Sequence, residues 1–172
     1  MRSINIPTDF VLQRTRLSWS EAQYGLGRGW LDTRAMIDLA VTALEEKTDS
    51  SSLEARLAGL RENETWDVPR LVEELAKSEP EHSIEEAKRK WLCLILAWVY
   101  ENRGDFDNPL AIVDEIYADF DYPEEIKRFV SYMPSPEPTS TPLYKPETPR
   151  ERLVRLWKEY VDHCHNKTAE TP

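Results

Sequence analysis

The sequence predicts an all-α protein: seven to eight helices packed around one central apolar helix, with a proline-rich strap before the last helix. Three observations carry this expectation. Apolar residues recur at spacings of three and four through most of the 172-residue chain. Four segments open with Ser/Thr-x-x-Glu, in which hydroxyl and carboxylate satisfy amides that a first helical turn leaves without partners; they begin at Ser18, Ser51, Ser83 and Thr148. No stretch alternates strongly between apolar and polar residues, and no hairpin turn signal is present.

The elements follow in order. A short helix is expected over Asp9–Thr15. A second runs over Trp19–Leu26, with Gly25, Gly27 and Gly29 ending it. Thr33–Lys47 places Met36, Leu39, Ala40, Ala43 and Leu44 on one face. Ser52–Glu62 buries Leu53, Leu57 and Leu60, and Val68–Lys77 buries Val68, Leu71, Val72 and Leu75. Ile84–Arg103 is the longest element. Its stretch Trp91–Tyr100 is apolar on every side, which marks a helix surrounded by others, and Gly104 stops it. Pro109–Phe120 and Pro123–Tyr132 follow, each opened by a proline whose missing N–H is harmless in a first turn.

Residues 134–149 change character, with Pro134, Pro136, Pro138, Pro142, Pro146 and Pro149 among Ser and Thr. Such a stretch is extended and polyproline-like. It leads to a last amphipathic helix carrying Leu153, Leu156, Trp157, Tyr160 and Val161, a face that packs onto a body unless it is offered to another protein. The expected organisation is a helical body over 1–133, a linker over 134–148 and a docked helix over 149–165.

Composition narrows function mainly by exclusion. Lys and Arg number 22 against 32 Asp and Glu, a formal charge of −10, which is unsuited to phosphate backbones. The longest apolar run, ten residues, is too short for a bilayer, and no apolar leader follows Met1. Cys93 and Cys164 differ so much in context that they read as reduced thiols, suiting a cytoplasmic protein, with a disulfide between them as the less favoured alternative. Cys93 lies in the most apolar stretch, where a thiol is inert.

The sharpest anomaly is local. Residues 101–125 hold nine acids against the single base Arg103, a net −8, interleaved with Phe106, Tyr117, Phe120 and Tyr122. Acids around aromatic rings suit a basic protein partner, because charge steers encounter and rings anchor it. The competing reading is a solvated face whose rings point inward. The candidate partner-binding residues are Asp105, Asp107, Asp114, Glu115, Tyr117, Asp119, Asp121 and Tyr122.

Other chemistry finds little support. The run from Asp105 begins like a calcium loop, but Leu110 stands where Gly is required and Ile116 where Glu is required. His163, Cys164 and His165 are adjacent on a helix and diverge, with no second ligand cluster. Neither a Gly-x-Ser-x-Gly elbow nor a phosphate loop is present. No catalytic residue, metal or cofactor is expected.

The segments Leu17-Ser-Trp19, Tyr24-Gly-Leu26, Gly29-Trp-Leu31, Lys90-Trp-Leu92 through Trp98-Val-Tyr-Glu-Asn-Arg103, Glu115–Pro123 with its Tyr-Ala-Asp-Phe-Asp-Tyr-Pro run, and Tyr132-Met-Pro134 resemble a small bacterial family of unknown function. The resemblance spans roughly residues 6–160 and implies a fold but no catalytic residues. Small acidic helical proteins of this kind are similar to immunity proteins of polymorphic toxin systems. The expected function is therefore non-catalytic: an immunity-type inhibitor that covers a basic toxin with its acidic segment. A helical interaction adaptor is the alternative, and a small enzyme a more distant one.

Overall fold

The computed structural model describes residues 4–46, 52–80, 83–134 and 147–169. Among these residues the chain is all-helical, with no strand. The α-helices are α1 (Thr8–Leu12), α2 (Trp19–Arg28), α3 (Thr33–Glu46), α4 (Ser52–Ala58), α5 (Val68–Ser78), α6 (Ile84–Glu101), α7 (Pro109–Asp119) and α8 (Pro149–Ala169). Three 3-10 helices, Glu62–Asp67, Arg103–Asp105 and Glu124–Phe129, join them. The helix expected over Pro123–Tyr132 is the last of these 3-10 turns. The strap at 135–146, the cap at Ser51 and His82 lie outside the described residues. The chain forms two compact units, Met1–Trp91 and Leu92–Pro172. The division falls inside α6, well before the strap.

In the first unit, the N-terminus of α2 is fixed by carboxylates. The Glu21 N–H donates to Ser18 Oγ at 3.1 Å, and the Ser18 N–H returns a bond to the Glu21 carboxylate at 2.8 Å, as the capping pattern predicts. Glu79 adds a second cap, accepting from the Trp19 and Ser20 amides at 2.8 and 3.1 Å. Asp32 caps α3 through the Ala35 amide at 2.8 Å. Helix α5 buries the expected Val68, Leu71, Val72 and Leu75. Helix α4 departs from expectation: it ends at Ala58, and it buries Leu57 and Glu54 while Leu53 and Leu60 are half-buried. Glu54 is tolerated inside because it accepts the Trp19 indole N–H at 3.1 Å.

The glycines of α2 are not a common stop. The helix passes through Gly25 and Gly27, and only Gly29, at φ 74°, ends it in the left-handed conformation. Gly25 serves another purpose. A Cβ there would sit 2.1 Å from the Trp91 ring, so the missing side chain is the notch that admits the indole. The Trp91 ring lies 5.3 Å from that of Trp30, and its N–H donates to the Glu21 carbonyl at 2.8 Å.

In the second unit, α6 from Leu92 onward is buried nearly all round, with Leu92, Leu94, Ile95, Leu96, Ala97 and Val99 in the core. Helix α8 is capped by Thr148 and Glu151, whose reciprocal bonds measure 3.2 and 2.8 Å. It docks through Trp157, fully buried, whose indole N–H donates to the Leu96 carbonyl at 3.2 Å. Tyr160 is also buried, 5.6 Å from the Phe129 ring.

Cys93 and Cys164 correct the sequence expectation of reduced, separate thiols: they form a disulfide. Seventy-one residues separate them in sequence, and the packing of α8 brings their Cα atoms to 5.9 Å, within the range a disulfide can bridge. A bridge persists in oxidising surroundings, so the two cysteines do not speak for a reducing cytoplasm.

Two stability experiments test this architecture. Gly→Ala inside a helix ordinarily stabilises by about 1 kcal/mol. Gly27, with nothing within 4 Å of an added Cβ, should follow that rule, whereas Gly25→Ala should destabilise by about 1–3 kcal/mol through overpacking against Trp91. Urea midpoints of the two variants should move in opposite directions. Reduction of Cys93–Cys164, or Cys164→Ser, should cost up to about 4 kcal/mol given the length of loop closed, read as a lower melting temperature with dithiothreitol; an unchanged melt would contradict the bridge.

Candidate protein interface

Helix α7 and its flanking turns carry the acidic segment. Asn108 precedes the helix, and Pro109 occupies its first turn. Leu110, Val113, Ile116 and Tyr117 form the inward face, continued by Phe120 beyond the helix end. Glu115, Ala118 and Asp119 lie on the exposed side, with Asp114 half-buried at its margin. Asp105 and Asp107 are exposed in the turn before α7.

The eight candidate residues therefore divide. Tyr117 is only 3% exposed, so it belongs to the core more than to the surface. Tyr122 is 61% exposed. Asp105, Asp107, Glu115, Asp119 and Asp121 are exposed. Tyr132, which the charge pattern did not flag because it lies beyond the acidic run, is 57% exposed and joins the same cluster.

The turn after α7 builds that cluster. The Tyr122 amide donates to the Tyr117 carbonyl at 2.9 Å, and the Asp121 amide to the Ala118 carbonyl at 3.2 Å. This paired closure is the Schellman motif, which usually places glycine in its left-handed position. Here Asp121 and Tyr122 occupy that region in succession, at φ 61° and 59°. Asp tolerates it, whereas for an aromatic residue it costs about 1–2 kcal/mol. The strained turn carries the Tyr122 ring to 5.2 Å from Tyr117, edge-on, while the Tyr132 ring lies 6.3 Å from Tyr117 on a tilted approach.

Asp114 lies one turn before Tyr117 on α7. One carboxylate oxygen accepts the Ser131 amide at 2.8 Å and the other accepts the Ser131 hydroxyl, which ties the segment after the last 3-10 helix to α7. Partial burial, together with Tyr117, Asp114 and Tyr122 nearby, holds the Tyr132 phenol above its ordinary pKa. The buried Tyr117 hydroxyl has no hydrogen-bond partner among the described residues, yet none of their sealed side-chain polar atoms lacks one. That hydroxyl therefore keeps some contact with solvent.

Charge on the outer side of α7 is uncompensated. Many acids elsewhere are paired: Arg16 with Glu46 at 2.5 Å, Asp67 with Arg70 at 2.6 Å and Arg56 at 3.2 Å, Lys90 with Glu21 at 2.7 Å, Arg155 with Glu147 and Glu159 at 2.8 Å. Arg70 and Arg56 hold the Asp67 carboxyl below the usual carboxylate range. Asp105, Asp107, Glu115 and Asp119 have no ion pair with any described residue. Glu115 and Asp119 stand one turn apart, a like-charge spacing that destabilises a helix. Asp119 ends α7, where the last turn holds no base and a negative charge opposes the macrodipole.

Among the described residues, no group of three His, Cys, Asp or Glu side chains is gathered in a way that could hold a metal ion. Cys164, adjacent to His163 and His165, lies within α8 and in the disulfide. No helix among the described residues is long and apolar enough to cross a membrane.

The sequence matches the family described as "Uncharacterized protein conserved in bacteria (DUF2247)" over residues 8–164. The chain belongs to this family. No curated protein and no solved structure matches it. Several motifs that suggested a family in the sequence have structural employment: Ser18 caps α2, Gly25 admits Trp91, Gly29 ends α2, and Lys90 binds Glu21. The Tyr117–Pro123 and Tyr132–Pro134 motifs are different, because together they supply the three rings of the cluster.

Asp119→Lys should stabilise the fold. It removes a like-charge pair, places a base one turn after Glu115 and complements the helix terminus, together worth about 1 kcal/mol. A urea midpoint at or below that of the parent protein would mean that Asp119 has a compensating partner.

Proposed function

We propose that this protein is a non-catalytic binding protein that takes a basic protein partner on the outer side of α7 and its flanking turns, as an immunity-type inhibitor neutralises a cognate bacterial toxin. The observation that carries this reading is the placement of Glu115 and Asp119. These acids are exposed, lack ion pairs among the described residues and sit where they weaken their own helix. Stability given up at a surface is the usual mark of a surface used for something else. Asp105 and Asp107 extend the same charge, which would speed encounter with a basic surface, and Tyr122 supplies an aromatic anchor of the kind that dominates interface energetics. The inhibitor would act by occlusion, covering the toxin's active or substrate-binding surface.

The adaptor alternative would use the same acidic face or present α8 to another protein; the α8 form is the one the packing bears on. It finds less support, because the apolar face of α8 is spent inside its own unit, with Trp157 wholly buried.

The test is comparative capture from a lysate of the native bacterium, followed by assay of the partner. A basic protein should bind stoichiometrically, lose affinity as salt rises, and lose its toxicity to cells when this chain is co-expressed. The pair Glu115→Lys with Asp119→Lys should abolish capture and protection while the protein melts no lower than the parent. Protection that survives this charge reversal would remove the α7 face from the proposal.

A further inference from the structure

We infer that Tyr117, Tyr122, Tyr132 and Asp114 form a receptor for a guanidinium group, so that the partner's anchoring residue is an arginine. This rests on the reading of α7 as a docking face and names the chemistry that face selects.

The four side chains have complementary duties. Tyr122 and Tyr132 are more than half exposed, and both lean on the same buried ring. An aromatic face attracts a cation within about 6 Å of its centroid, and guanidinium is the cation that also stacks flat. The Tyr117 ring on which both lean is 3% exposed, and its hydroxyl, without a partner among the described residues, is not sealed from solvent. It can accept a hydrogen bond from a planar donor laid against the rings. Asp114 supplies the charge. Its two bonds from Ser131 hold it in place and leave lone pairs on both oxygens. Guanidinium brings five in-plane N–H donors and a full positive charge, which a phenol oxygen, a carboxylate and an exposed tyrosine ring can meet together. An ammonium group would meet the charge but neither the plane nor the fork. Glu115 and Asp119 on the adjoining surface give the approach its sign.

The experiment is a titration of the ¹⁵N-labelled, disulfide-intact full chain with N-acetyl-arginine methylamide, followed by amide shifts. The lysine and citrulline analogues serve as comparators; citrulline keeps the shape and lacks the charge. Saturable shifts should centre on Asp114, Tyr117, Asp121, Tyr122, Ser131 and Tyr132. Arginine should bind roughly tenfold more tightly than either comparator. Tyr122→Ala and Tyr132→Ala, both exposed and tolerable to the fold, should each weaken binding about tenfold. Tyr117→Phe keeps the core packing and should weaken it several-fold through the lost acceptor. Equal binding of lysine and arginine, shifts spread over the acidic surface, or indifference to Tyr122→Ala would overturn the receptor. Capture of a basic partner that stays sensitive to Glu115→Lys with Asp119→Lys, with no arginine effect, would discard the receptor and leave the docking face standing. Arginine binding without any such capture would do the reverse.

Discussion

The constraint from which both units are built is the apolar circumference of α6. A helix that is hydrophobic on one stripe needs one neighbour, whereas one hydrophobic all round must be enclosed. The requirement is met separately on the two sides of the Trp91/Leu92 division. In the first unit, enclosure is made by subtraction: Gly25 lacks the atom that would collide with the Trp91 ring. In the second, it is made by addition, when α8 lays Trp157 beside Leu96. Each indole also brings a polar N–H into the interior, where an unpaired donor is costly. Both N–H groups end on helix carbonyls, of Glu21 and Leu96. A tryptophan is thus the piece that closes each unit, because it fills the largest volume and carries its own hydrogen bond to fix its pose.

The distribution of charge divides the molecule differently. Acids on α2, α5 and α8 are matched to bases within a turn or across a short gap, and Glu21 and Glu79 are consumed in capping. None of these needs a function beyond the fold. The outer side of α7 breaks the pattern in three ways that share a direction: exposed acids without ion pairs, a like-charge pair one turn apart, and an acid against the helix dipole. Each term is small. Their coincidence in one helix, beside a turn holding an aromatic residue at positive φ, sets this surface apart from the rest of the protein.

Helices were legible in the sequence where a local rule decides them. Val68, Leu71, Val72 and Leu75 are all buried as their spacing predicts, and the boxes at Ser18 and Thr148 close as written. What escaped depends on partners remote in sequence. Gly25 reads as a helix stop, since its reason for being glycine is a ring sixty-six positions away. Glu54 reads as a capping acid, since the Trp19 N–H that admits it to the interior is invisible locally. The pairing of Cys93 with Cys164 follows from the docking of α8, which periodicity cannot register. The acidic segment was legible as charge but not as shape. The same apolar period that makes α7 a helix turns Tyr117 inward, and Tyr132 returns to its ring on a segment that Asp114 ties to α7 through Ser131.

The cluster of rings stands on a rigid base. Binding through exposed rings is weakened whenever those rings must first be ordered. Here the ordering is built in. Tyr122 is held by a closed helix terminus whose two hydrogen bonds overrule an unfavourable backbone region. Tyr132 is held through its neighbour Ser131. Phe129, in the 3-10 turn just before it, is fully buried and packs against Tyr160 of α8, which the disulfide ties to α6 four residues further on. The covalent bridge, the buried indole of Trp157 and the strained turn thus act on one set of surface residues from below. A strained conformation persists only where its surroundings over-determine it. The second unit supplies that over-determination for the turn that holds Tyr122.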